Sequence, residues 1–192
     1  MKKILVINGH PNKGALSGAL SENYARGAKE SGHEVRLTHL SDLSFDPILR
    51  KGYAEIQPLE PDLLRAQEDI LWAEHIVVVF PIWWSAVPAL LKGFFDRTLL
   101  PGFAFKYHKG NPFWDKLLQG RTGRIIFTTD APWAWNWLIN RDPVIHMMKT
   151  GVLKFCGITP VGVTQFDRVK DRNPEHIQKY LKKALDLGKR GL

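Results

Sequence analysis

Five apolar segments of strand length alternate along the chain with segments of helical periodicity, and this alternation restricts the fold more than any other feature. KILVIN (3–8) and HIVVVFP (75–81) are continuously apolar, which is typical of strands covered on both faces of a parallel sheet. EVRLTHL (34–40) alternates apolar and polar residues, which indicates a strand near an edge. The predicted strands are 3–8, 34–40, 75–81, 124–129 and 158–166.

Helical patterns separate these strands. The predicted helices are about 16–31, 61–75, a segment from about 87, about 143–155, and a final one from 174. Gly32 is expected to end the first helix, and Asn173 followed by Pro174 is typical of a helix start. The segment 101–120, rich in glycine and aromatic residues, is predicted to be a loop. Strands that alternate with helices predict a parallel sheet with helices on both faces.

Two strand orders are common for such sheets, and the turn after the first strand distinguishes them. The Rossmann order favours Gly-x-Gly-x-x-Gly at this point, but here the glycines Gly9, Gly14 and Gly18 have a different spacing. The order 2-1-3-4-5 has no such requirement. The prediction is therefore an α/β flavodoxin-like three-layer sandwich, a single domain over 1–192 with a five-stranded parallel sheet.

Composition restricts the partners and the compartment. The chain has 192 residues, a formal net charge of +8 and one cysteine, Cys156. The charge favours anionic ligands, but the cations are dispersed and no recognition-helix motif appears, so nucleic acid is not expected as a partner. No apolar run approaches the roughly 20 residues of a membrane span, so membrane insertion is not expected. One cysteine fits a reducing, cytoplasmic setting, with a buried and inert thiol, and no metal site is predicted.

In open α/β sheets a ligand binds beyond the carboxyl ends of the strands, where the strand order reverses. The rule selects the loops GHPNKGALS, PIWWSAVP and TTDAPWAWNW. The first supplies His10 and Ser17 at the start of a helix, where free amides bind phosphate. The alternative interpretation is that Ser17 is a helix N-cap and His10 a surface residue.

Tryptophans are concentrated in the other two loops. Trp83 and Trp84 follow the third strand, and Trp133, Trp135 and Trp137 follow the fourth, although Trp137 fits the core equally well. Trp72 and Trp114 are interpreted as packing residues. A phosphate site beside aromatic walls indicates a nucleotide-like ligand with a flat ring, and a flavin suits this topology better than a nicotinamide alone.

FPIWWSAVPALLKGFFDRTLLPGFAFKY resembles the signature of the flavodoxin-like NAD(P)H:quinone oxidoreductase (DT-diaphorase) family. That family includes modulator-of-drug-activity quinone reductases and ancillary flavoproteins of potassium efflux systems. INGHPNKGALSGAL, the Thr-Thr after the fourth strand and GVLKFCGI extend the similarity over most of the chain.

The resemblance implies roles for individual positions. His10, Leu16 and Ser17 match a phosphate loop. The matched flavin-binding positions are His10, Leu16, Ser17, Pro81, Ile82, Trp83, Trp84, Thr128, Thr129, Asp130 and Ala131. Within this set, 81–84 match a loop whose backbone amides bind the isoalloxazine ring and whose aromatic residue packs against it.

The resemblance also implies a substrate pocket and a homodimer. Phe105 and Tyr107 match aromatic residues that, in family dimers, reach toward the partner's flavin. The expected pocket walls are Trp84, Phe105, Tyr107, Trp133 and Trp135. The helix with Lys92, Gly93, Phe94 and Phe95 commonly helps to form the dimer, although by itself it is typical of a core-packing helix.

Three features differ from the family pattern. Ala15 stands where serine is usual, and Asp130-Ala131 replaces Gly-Gly after Thr-Thr. A carboxylate at Asp130 is expected to disfavour a nearby reduced-flavin anion unless it points to solvent. The family's Tyr and His that assist charge transfer are not recognisable, and His146 comes too late in its segment to replace them.

The resemblance implies a flavoprotein oxidoreductase that transfers hydride from NAD(P)H through bound flavin to a quinone-like acceptor. The alternative is a flavin-bound ancillary subunit of a potassium efflux system with little turnover. The match favours FAD, while the altered phosphate loop leaves FMN open. The sequence does not decide between NADH and NADPH.

Overall fold

A computed structural model describes residues 1–110, 112–132 and 143–192, and the central sheet is the predicted one. The strands are β1 (Lys3–Asn8), β2 (Glu34–His39), β3 (His75–Pro81), β4 (Phe105–Tyr107), β5 (Trp114–Lys116), β6 (Thr122–Thr128) and β7 (Val161–Phe166). Five of them form a parallel sheet in the order β2-β1-β3-β6-β7. The flavodoxin-like order is thereby confirmed.

Helices cover both faces of this sheet. They are α1 (Leu16–Glu30), α2 (Pro61–Trp72), α3 (Ala89–Thr98), α4 (Pro143–His146), which continues as a π-helix (Met147–Lys154), and α5 (Pro174–Lys189). Leu5 and Ile7 of β1 pack on the side of α2 and α3, while Ile4 and Val6 pack on the side of α1 and α5. Successive side chains of a strand point to opposite faces, which explains why the central strands are apolar throughout.

The segment predicted as a loop, 101–120, contains secondary structure. β4 and β5 form a short antiparallel pair, with Phe105 opposite Lys116 and Tyr107 opposite Trp114. Strands of three residues are too short for alternation to be recognised in the sequence. The indole of Trp114 stacks on Phe155 at 4.5 Å and donates to its carbonyl oxygen at 2.9 Å, so Trp114 is a packing residue as predicted.

α1 and α5 approach each other closely because each carries a glycine at the crossing. A Cβ atom on Gly27 would lie 2.1 Å from the carbonyl oxygen of Leu185, and one on Gly188 would lie 2.0 Å from that of Tyr24. Asn173 caps α5 through its side chain, which accepts from the amide of His176 at 3.0 Å, as predicted. No helix in the described part of the chain is both long enough and apolar enough to cross a membrane.

A long irregular segment joins β2 to α2 and is held by one buried side chain. Arg97 of α3 is fully buried and donates to the carbonyl oxygens of Asp46 at 2.5 Å and Pro58 at 2.8 Å. It also forms an ion pair with Glu60 at 2.9 Å. The guanidinium group therefore ties both ends of the segment to α3.

Candidate functional site

The loop after β1 is shaped by hydrogen bonds between side chains and backbone. Asn8, fully buried, accepts from the amide of His10 at 3.2 Å and donates to Nδ1 of His39 at 3.0 Å. Asn12 accepts from the amide of Gly14 at 2.9 Å. The loop then passes so close to α1 that a Cβ atom on Gly18 would lie 1.8 Å from the carbonyl oxygen of Lys13. Only glycine permits this approach.

Ser17 is not the N-cap residue of α1. The N-cap of α1 is Ala15, whose side chain makes no capping bond. Ser17 follows in the first turn with 1% of its surface exposed, and its Oγ atom has no hydrogen-bond partner among the described residues. The first amides of a helix also have no carbonyl partner within it. A buried hydroxyl beside free amides is a set of donors suited to an anion.

His10 contributes a further donor. Its Nδ1 accepts from the amide of Asn12 at 2.9 Å, so in the neutral ring Nε2 carries the proton. Burial lowers the pKa of His10. The ring meets Trp83 edge-on, with centroids 5.2 Å apart. His10 is thus a half-buried member of the site.

The loop after β3 makes a tight turn with unusual backbone angles. Trp83 and Ala86 exchange backbone hydrogen bonds of 3.0 and 2.9 Å. The two residues between them, Trp84 and Ser85, have φ of 51° and 55°, a conformation that normally selects glycine or asparagine. Trp84 is fully exposed, and Trp83 is 45% exposed. The turn therefore holds one indole against His10 and projects the other into solvent.

Two amides of this loop are already used within the protein. Ile82 donates to the carbonyl oxygen of Thr128 at 2.8 Å, and Trp83 donates to that of Ala86. The resemblance implied that amides in 81–84 bind the isoalloxazine ring. Since proline has no N–H group, Trp84 is the member of this stretch whose amide is not accounted for by these bonds.

The loop after β6 is tied to the turn after β7. The amide of Thr129 donates to Phe166 at 3.0 Å, and the amide of Val169 donates to Thr129 at 3.3 Å. The carboxylate of Asp130 accepts from the amide of Lys170 at 2.9 Å. Thr128 and Thr129 are largely buried here. The arrangement fixes one wall of the site.

These three loops line an open cleft at the carboxyl ends of the strands. It is lined by His10, Ala15, Leu16, Ser17, Pro81, Ile82, Trp83, Thr128, Thr129, Asp130 and Val169. The predicted positions Trp84 and Ala131 do not line it. Val169 was missed, although the rule that located the other loops also applies to the end of β7.

Phe105 and Tyr107 lie away from this cleft. They line a second cavity of about 550 Å³ between α3, β4 and the π-helix, together with Tyr53, Phe155 and Cys156. Phe105 is buried in the chain's own core, and Tyr107 is exposed. Cys156 is buried, as predicted, and burial raises its pKa to about 12, which disfavours the reactive thiolate.

The other predicted positions lie on α3 or in the segment after Pro132. Phe94 and Phe95 are buried inside the chain, and Gly93 packs against Pro47, as expected of a core-packing helix. Lys92 is exposed and pairs with Asp96. Trp133, Trp135 and Trp137 lie outside the described residues. Within the described ranges, no group of three or more His, Cys, Asp or Glu is placed to hold a metal ion.

The cleft can hold a phosphorylated ligand with a flat ring. Hydroxyl, imidazole and amide donors converge at the start of α1, and an indole, prolyl and threonyl surface continues from there. The unpaired hydroxyl of Ser17 fits the phosphate end of a flavin nucleotide.

Comparisons with known proteins agree with this geometry. A family model described as the flavodoxin-like fold matches residues 2–187. A Haemophilus influenzae protein named an uncharacterized NAD(P)H oxidoreductase is 35% identical over 164 residues, which are 82% of this chain and 79% of that protein. NAD(P)H dehydrogenase (quinone) 1 of Rattus norvegicus is 24% identical over 185 residues, 82% of this chain and 65% of the rat protein.

A solved structure matches along nearly the whole chain. Smu.1420 of Streptococcus mutans superposes with a TM-score of 0.83 at 28% identity, and the match covers 98% of this chain and 99% of that one. The chain spans slightly less than two thirds of the rat enzyme's length.

Proposed function

The chain belongs to the family with the flavodoxin-like fold, and from that premise we propose that it is an oxidoreductase that passes electrons from NAD(P)H through a bound flavin to a quinone-like acceptor. The enzyme class follows from relatives named NAD(P)H oxidoreductase and NAD(P)H dehydrogenase (quinone). The flavin would supply the two-electron chemistry, and the protein binding and orientation. The observation that carries the proposal is the buried, unpaired hydroxyl of Ser17 at the end of an open cleft.

The start of α1 would hold the flavin phosphate. Ser17 Oγ, His10 Nε2 and the amides of Leu16 and Ser17 can all donate to it, and donors to a charged group bind more strongly than neutral pairs. Ala15 leaves this site without the serine hydroxyl that the resemblance led us to expect. The helix-terminal amides of Leu16 and Ser17 remain available to the phosphate.

The flat ring would lie between the loops after β3 and β6. Trp83 and Pro81 offer an apolar surface, while Thr128, Thr129 and Asp130 offer polar groups at its edge. Trp84, exposed beside the cleft, is in a position to flank a nicotinamide or a quinone that approaches from solvent. We keep Trp133 and Trp135 as proposed walls of the same pocket.

The active form that we propose is a homodimer. Tyr107 is exposed at the second cavity with Phe105 buried behind it, so the tyrosine ring is free to face the flavin of a partner subunit. On α3 the exposed pair Lys92–Asp96, and not the buried Phe94 and Phe95, would meet the partner. We also propose a cytoplasmic location, on the strength of the lone buried Cys156.

FAD is the proposed cofactor, with FMN as its alternative. The mass of the nucleotide released from purified protein decides between them. The same preparation should oxidise NADH or NADPH when a simple benzoquinone is added.

Ser17→Ala provides the first test of the site. Loss of one hydrogen bond to a charged phosphate is expected to weaken binding of the flavin by at least about tenfold. Isothermal titration of the apoprotein with FMN and with FAD measures the change. Ser31→Ala, at the other end of α1 and exposed, should leave both affinities unchanged. A wild-type protein that binds neither flavin would show that the proposal is wrong.

A further inference from the structure

One residue gives the wall of the cleft a net negative charge. Of the residues that line it in the described chain, His10 and Asp130 have ionisable side chains. Burial lowers the pKa of His10, which keeps that ring neutral near pH 7. Asp130 alone therefore brings a full charge to the wall.

The orientation of this carboxylate is set by backbone contacts. Its Oδ1 atom accepts from the amide of Lys170 at 2.9 Å, and Val169, the neighbour of Lys170, donates to Thr129. The partner of the carboxylate is a neutral amide, so its negative charge is not cancelled. Asp130 is exposed to solvent, but this bond holds its carboxylate at the rim of the cleft.

No ion pair in the described part of the chain involves Asp130. At this edge of the sheet the ion pairs within the described residues are Lys13–Asp42 and Arg172–Asp167, and Asp130 belongs to neither. Arg168 and Lys170 are exposed on both sides of Val169, but neither lines the cleft. Asp130 is exposed as they are, but it is the one of these three residues that lines the cleft, so its charge lies nearer to a ligand bound there.

A fixed negative charge acts differently on the two redox forms of a bound ligand. A hydride brings two electrons and one proton, so its acceptance by a neutral ring adds one negative charge to the cleft. A carboxylate on the wall repels that added charge. We propose that Asp130 lowers the reduction potential of the flavin bound in this cleft and so makes the reduced protein a stronger electron donor. This inference rests on the proposed function.

The reduction potential of the flavin affects which quinones the protein can reduce. A lower potential favours transfer to quinones that are themselves difficult to reduce, such as electron-rich naphthoquinones. Asp130 is in this sense a specificity-determining residue for the acceptor.

Asp130→Asn tests the inference, because asparagine has the same shape and keeps an oxygen that accepts from Lys170. The reduction potential of the holoprotein, loaded with whichever of FMN and FAD binds more tightly, is measured by anaerobic equilibration with reference dyes. The variant should bind the reduced cofactor about tenfold more tightly relative to the oxidised one, a rise of about 30 mV for a two-electron couple. Asp171→Asn removes a carboxylate from the adjoining exposed turn after β7, outside the cleft, and should leave the potential unchanged.

The outcomes separate this inference from the proposed function. A wild-type protein that binds no flavin overturns both. A protein that binds flavin, but whose potential is unchanged or lowered in Asp130→Asn, overturns the role of Asp130 alone. Asp130→Ala, which also loses the bond to Lys170, should give the same rise; a rise in the alanine variant only would assign the effect to loop packing and overturn the inference.

Discussion

At the scale of single residues, the positions that matter most are those whose polar atoms are buried. Ser17 and Arg97 are both almost inaccessible, yet one has an unpaired hydroxyl and the other several bonds. The sequence predicted a role for Ser17 because a helix start at that edge of a sheet binds anions. It did not predict the role of Arg97, because its partners lie 37 or more residues earlier in the chain.

Arg97→Met is expected to lower the free energy of unfolding by about 3 kcal/mol, because it leaves Glu60 and two carbonyl groups without their buried partner. Urea denaturation of the apoprotein measures the loss. Arg50→Met offers a control: Arg50 also contacts Asp46, at 2.8 Å, but at the surface, where such a pair contributes less than about 1 kcal/mol. Equal losses in the two variants would contradict the role of Arg97.

At the scale of elements, the parts read correctly from the sequence were those with long, uniform patterns. β3 is buried along all seven residues, and its bounds agree with the prediction. α4 and the π-helix occupy the predicted helical segment, but nothing in the residue spacing distinguishes a π-helix from an α-helix. The turn at Trp84 and Ser85 was also unforeseen, since neither residue type favours φ > 0.

The crossing of α1 and α5 gives a prediction at this scale. Gly188→Ala would place a methyl group 2.0 Å from the carbonyl oxygen of Tyr24, so the helices must separate, at a cost of about 2–3 kcal/mol. Gly151→Ala in the π-helix meets nothing within 4 Å, and should stabilise the protein by up to about 1 kcal/mol through helix propensity. Thermal unfolding of both variants should show shifts of opposite sign. Changes in melting temperature of the same sign would mean that the contact between Gly188 and Tyr24 does not limit how closely α1 and α5 approach.

At the scale of the whole molecule, the two ends of the sheet have different roles. The carboxyl ends of β1, β3 and β6 open into the cleft, whereas the amino end of β3 is packed. His75, at the amino end of β3, is almost fully buried and bonds to Thr122 Oγ1 at 2.6 Å. Burial lowers its pKa to about 4, with smaller contributions from nearby cations such as Lys2 and Arg124.

This shift predicts how stability depends on pH. The unfolded chain protonates His75 below about pH 6.5, but the folded protein does so only below about pH 4. Stability is therefore lost as the pH falls through this window, by about 3 kcal/mol in total. Urea unfolding between pH 4.5 and 7.5 should show a shallower decline for His75→Gln than for wild type. His146→Gln, on the exposed side of α4, should follow the wild-type curve, and parallel curves for all three proteins would refute the assignment.

The position of the cleft was predictable at this scale because the rule that ligands bind at the carboxyl ends of parallel strands depends on topology alone. The neutral amide that holds Asp130 in place was not predictable, because Lys170 lies 40 residues after Asp130 in the chain.

The unpaired hydroxyl of Ser17 has a consequence for the life of the protein in a cell. If the chain binds a flavin nucleotide as proposed, the chain without it keeps a polar defect in its interior, and binding both repairs the defect and adds stability in proportion to the logarithm of ligand concentration. Vitamin B2 supply would then govern how many copies escape proteolysis. In a cell that lacks vitamin B2, the amount of this protein should fall before the amount of its mRNA does.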